Sequence, residues 1–91
     1  MSLFRRAEPS RRTVTLLSRP GCHLCDDARE VIVKVTGELG VAWEEVDITT
    51  DEKLESEYRE QIPVTLIDGR QHDFWGVDEQ RLRKALGGPR R

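Results

Sequence analysis

The chain has 91 residues, 15 of them basic and 17 acidic, for a formal net charge of −2. That length suffices for one domain and no more, and the near balance of charge leaves no electrostatic footprint for nucleic acid. No run of 18 apolar residues occurs, so no transmembrane helix is expected.

Residues 1–12 are polar and basic, with Pro9 interrupting any regular pattern, and read as a loose arm. They lack the apolar stretch of an export signal, so a cytoplasmic location is expected, where thiols are kept reduced. Thr13 to Ser18 is rich in β-branched residues and reads as a strand; adjacent Leu16 and Leu17 suit one buried on both faces. Arg19-Pro20-Gly21 is a turn. A helix is predicted from Cys22 or His23 to Leu39, with Cys25, Ala28, Ile32, Val35 and Leu39 forming one apolar stripe. Asp26, Asp27 and Glu30 lie near its start, where the helix dipole favours negative charge, and Gly37 and Gly40 frame its end.

Residues 41–48 read as a second strand. Thr49 and Glu52 have the spacing of a capping box and open a second helix, 50–60, with Leu54 and Tyr58 on its inner side. Pro63 precedes a third strand, Val64 to Ile67, and Asp68-Gly69 signals a hairpin into a fourth, 71–75. Asp78 is placed to cap a last helix carrying Leu82, Ala85 and Leu86, which Gly87-Gly88-Pro89 stops. The order β-α-β-α-β-β-α makes the first two strands parallel, with a right-handed crossover, and the last two antiparallel. The expectation is an α/β domain over 13–87, a four-stranded mixed sheet with helices on both faces, a tail at 88–91 and a monomer.

The chemistry-bearing residues are Cys22 and Cys25, at the junction of the first strand and first helix. Residues three apart on a helix have Cβ atoms about 5–6 Å apart, whereas a disulfide needs about 3.5–4.5 Å. A Cys22 at the cap position, with non-helical backbone, closes that gap. Free N–H groups at a helix start also favour a thiolate, so a lowered Cys22 pKa is expected. Arg19 adds positive charge and Asp26 and Asp27 oppose it. Cys22, the outer residue, is read as nucleophile and Cys25, on the apolar stripe, as resolving thiol. The plain alternative is a pair of ordinary buried cysteines. A structural zinc site wants four ligands, and the candidates are the two cysteines, His23 and His72; no metal site is assigned.

Leu17-Ser18-Arg19-Pro20-Gly21-Cys22-His23-Leu24-Cys25, Val46-Asp47-Ile48, and Tyr58 to Gly69 around Gln61-Ile62-Pro63-Val64 resemble the glutaredoxins. They are most similar to a bacterial glutaredoxin-like family of poorly defined function. The resemblance covers 13–87 and implies a thioredoxin fold, a cis Ile62-Pro63 bond facing the cysteines, and the backbone of Ile62 presented to an extended substrate. It further implies a thiol-binding groove at Arg19, Ile62, Pro63, Gly76 and Asp78. The sequence departs from the family pattern at Gln61, in place of threonine, at Trp75, in place of a glycine, and at His23-Leu24, in place of Pro-Tyr. Thioredoxin proper is less similar. The implied function is an oxidoreductase acting on protein disulfides or small-thiol mixed disulfides. It needs no bound cofactor, and glutathione or an equivalent thiol, or a reductase, regenerates it. Two other readings stay open: a module holding an iron–sulfur cluster or other metal, and a non-enzymatic adaptor.

Overall fold

The structure, a computed structural model, describes residues 12–87. The expected tail at 88–91 and the arm, Arg12 apart, lie outside them. The elements are β1 (Thr13–Ser18), α1 (His23–Leu39), β2 (Ala42–Asp47), a 3-10 turn (Ile48–Thr50), α2 (Glu52–Tyr58), β3 (Val64–Ile67), β4 (Arg70–Phe74) and α3 (Glu79–Ala85). One sheet runs in the order β2-β1-β3-β4. β1 is parallel to β2, with Leu17 opposite Val46, and antiparallel to β3; β3 and β4 form an antiparallel hairpin with a bulge at Thr65/Leu66. This is the α/β architecture of a thioredoxin fold.

Alternation along β1 divides the interior in two. Val14 and Leu16 meet Ala28, Ile32 and Val35 of α1 and Leu82 of α3, with Leu86 just beyond it, on one face. Leu17 meets Ile48, Ile62 and Val64 on the other, where Leu54 and Tyr58 of α2 pack. Alternating side-chain direction along a strand makes this division automatic. Cys25 belongs to the second group although the rest of its helical stripe belongs to the first.

Three elements have boundaries that differ from the sequence-based expectation: β2 covers 42–47 against 41–48, α2 covers 52–58 against 50–60, and β4 covers 70–74 against 71–75. Asp51, and not Thr49, caps α2, accepting hydrogen bonds from the Lys53 and Leu54 amides at 2.9 and 3.3 Å. Thr49 is already used: its N–H and hydroxyl both donate to Asp47, at 2.9 and 2.6 Å, in the 3-10 turn. Aspartate caps at least as well as threonine, so the start moves two residues along. β4 also ends a residue early, because Trp75 leaves the extended region at φ 66°. Asp78 caps α3 as its position predicts, accepting from the Arg81 amide at 3.0 Å. No helix among the described residues is long and apolar enough to cross a membrane.

Candidate active site

β1 ends at Ser18, and Arg19 to Gly21 turn the chain into α1. Gly21 carries φ 77°, a left-handed backbone that glycine adopts without steric cost. Cys22 follows as N-cap, with extended backbone (φ −101°, ψ 111°), and its Sγ accepts a hydrogen bond from the Cys25 amide at 3.1 Å. That extended step brings the Cα atoms of Cys22 and Cys25 to 5.2 Å, with the two sulfurs at disulfide distance. Cys22 is half-buried. Cys25 is fully buried among Leu17, Ile48, Ile62 and Val64. The Ile62–Pro63 peptide is cis, and Ile62 packs in the same group as Cys25. Neither the N–H nor the C=O of Ile62 bonds another main-chain group among the described residues.

A cleft of about 380 Å3 is lined by Cys22 and, among others, by Arg19, Asp26, Arg29, Glu45 and Asp47. Arg29 grips Glu45 with two bonds, Nε to Oε1 at 2.7 Å and Nη2 to Oε2 at 2.6 Å, and donates Nη1 to Asp26 at 2.7 Å. Ser18, buried at the end of β1, donates its hydroxyl to Glu45 at 2.6 Å. The Arg29 guanidinium, chiefly, and then Ser18 hold the Glu45 carboxyl below the usual carboxylate range despite partial burial. Glu45 and Asp26 in turn raise the pKa of Arg29 further above its ordinary value.

The structure therefore brings Arg19, Cys22, Cys25, Ile62 and Pro63 to one end of the sheet. Gly76 and Asp78 lie at the β4–α3 junction, outside the lining of the Cys22 cleft, where Asp78 is occupied as a helix cap. Sequence reasoning missed Ser18, Arg29 and Glu45. Only the three-residue step from Asp26 to Arg29 hinted at a pairing; the partnership with Glu45 depends on β2 lying beside β1. Among the described residues no group of three or more histidine, cysteine, aspartate or glutamate side chains is placed to hold a metal ion.

A family profile described as "Glutaredoxin-like domain (DUF836)" matches residues 13–87. The chain belongs to this glutaredoxin-like family. It is 39% identical over 82 residues to the uncharacterized protein Rv0508 of Mycobacterium tuberculosis, covering 85% of this chain and 84% of the relative. The X-ray structure of protein XcR50 from X. campestris aligns with a TM-score of 0.67 and 37% identity, over 84% of this chain and 99% of that one. A thioredoxin mutant from Halobacterium salinarum aligns at 0.64 with 18% identity, over 84% and 72% respectively, a likeness of fold. The glutaredoxin-like fold and a cysteine pair at its helix start together suggest redox chemistry for this family member.

Proposed function

We propose that this glutaredoxin-like protein is a dithiol oxidoreductase that reduces protein disulfides or small-thiol mixed disulfides. The observation that carries the reading is the asymmetry of the pair: Cys22 is only partly buried at an N-cap, and Cys25 is fully buried at disulfide distance from it. The Cys22 thiolate attacks one sulfur of a substrate R–S–S–R′, forming a Cys22–S–S–R bond and expelling R′–S⁻, which takes up a proton. Cys25 gives up its proton and attacks Cys22 Sγ, expelling R–S⁻ and closing the Cys22–Cys25 bond. Two electrons pass to the substrate, and an external thiol pair or a reductase returns them. The Cys25 amide already points at Cys22 Sγ and stabilises charge there. The open N–H and C=O of Ile62 pair with an extended substrate backbone, as in strand addition. Arg19 supplies positive charge at the mouth of the cleft, suited to the carboxylates of a small thiol such as glutathione.

The test is turnover of a mixed-disulfide substrate, with glutathione, another small thiol or a reductase as donor. Cys22→Ser abolishes exchange, and Cys25→Ser accumulates a mixed disulfide at Cys22 visible by mass. Wild-type turnover by Cys22→Ser refutes the assignment.

A further inference from the structure

Trp75 is an unusual residue in an unusual conformation. Its φ of 66° lies in the left-handed region, an outlier for a bulky side chain. Backbone conformations of this kind persist only where surrounding interactions hold them, and they concentrate at functional sites. The residue is 59% exposed, so burial does not hold it there. What holds it are two hydrogen bonds into the segment before Pro63. The Trp75 amide donates to the Gln61 carbonyl at 3.0 Å, and the indole Nε1–H donates to the Glu60 carbonyl at 2.9 Å. The Phe74 ring braces the indole edge-on, with centroids 5.0 Å apart.

The same segment is fixed from two further sides. The Gln61 amide donates to the Tyr58 carbonyl at 2.8 Å, and the Gln61 side chain accepts from Gln71 at 2.8 Å. Every main-chain polar group of Gln61 is thereby consumed. For the next residue, Ile62, neither main-chain group bonds another main-chain group among the described residues. The boundary between spent and open backbone falls where Trp75 lets go.

We propose that Trp75 is a positioning residue: its two hydrogen bonds strap Glu60 and Gln61 to the end of β4 and so fix the orientation in which Ile62 offers its N–H and C=O to an extended peptide disulfide. The inference rests on the proposed function and adds to it a preference for substrates with a peptide backbone beside the disulfide. The indole bond alone ties Glu60, and phenylalanine keeps the aromatic bulk while removing it.

The experiment compares wild type with Trp75→Phe in single-turnover oxidation of the reduced protein. Samples are quenched by alkylation and read by mass. The substrates are a cystine-containing peptide and bis(2-hydroxyethyl) disulfide, which has no peptide backbone. Loss of one backbone-directed hydrogen bond should raise the half-saturating peptide concentration about three- to ten-fold more than that of the small disulfide. The limiting rate with peptide should change less than about two-fold. In parallel, exchange of the Gln61 amide in Trp75→Phe should accelerate by a similar factor. Equal effects on the two substrates overturn the proposal. If wild type oxidises with neither substrate, the proposed function falls; the strap is then judged by the Gln61 amide, whose unchanged exchange overturns it and whose acceleration upholds it.

Discussion

Replacement of Arg29 by glutamine tests whether the cleft network sets the charge felt by Cys22. Arg29 neutralises part of Asp26 and Glu45, all three lining the cleft beside Cys22. The trio carries a net single negative charge, and in Arg29→Gln it carries two. The added repulsion acts on the Cys22 thiolate and not on the neutral thiol. At a separation of roughly 8 Å and an effective dielectric of roughly 50, one unit charge is worth about 0.8 kcal/mol. The high dielectric is warranted because the Asp26 side chain is 62% exposed. The thiolate fraction on the acid side of the Cys22 titration then falls about four-fold. The assay is the ultraviolet absorbance of the thiolate across pH in a Cys25→Ser background, with and without Arg29→Gln. Salt at about 1 M shortens the screening length to about 3 Å and should remove most of the difference. Asp26→Asn should move the fraction the other way. An unchanged or higher thiolate fraction in Arg29→Gln, or a difference indifferent to salt, refutes the electrostatic link.

Two further predictions concern stability. Glu45 titrates below its ordinary value in the fold, chiefly because of Arg29, so its contribution is complete above about pH 4.5 and is lost as pH falls through the folded value. Wild type should therefore be more stable than Glu45→Gln near neutrality, with the gap in urea midpoint closing below about pH 4.5; a gap constant from pH 3 to 7 contradicts this. Ile32 is fully buried between α1 and the sheet, and Ile32→Ala should cost about 2–5 kcal/mol in urea unfolding. Exposed Val33, one residue on, should cost less than about 0.5 kcal/mol when cut to alanine.

Elements with a period and a cap were legible in the sequence. The apolar stripe of α1 and the paired leucines of β1 state which residues are inside, because burial repeats with the geometry of the element. Cys22 and Cys25 were legible because their spacing and their place at a strand-to-helix junction carry the chemistry locally. The start of α2 was not, since Asp47, Thr49 and Asp51 are all residue types able to cap, and the folded backbone decides that Asp47 takes the Thr49 amide and Asp51 those of Lys53 and Leu54. The Arg29–Glu45 grip joins residues 16 apart through the parallel β1–β2 pairing, and no local pattern encodes it. Trp75 was visible as a departure from a glycine position, but its bonds to Glu60 and Gln61 belong to the tertiary fold.

The apolar stripe of α1 conceals one division that bears on the proposed chemistry. Ala28, Ile32 and Val35 lie over one face of the sheet, while Cys25, on the same stripe, packs with residues of the other. The reason is the length of β1. The strand ends at Ser18, so beyond it no sheet separates the two faces, and the first turn of α1 tips across that open end. Cys25 is thereby surrounded by Leu17, Ile48, Ile62 and Val64, whereas Cys22, on its extended N-cap, packs against the edge of that group and is only partly buried. In the proposed mechanism a disulfide arriving from solvent is attacked by Cys22, and Cys25 attacks Cys22 Sγ only once the mixed disulfide has formed there. Under the proposed mechanism, the order of attack and resolution follows from where a strand stops, with no further device needed to enforce it.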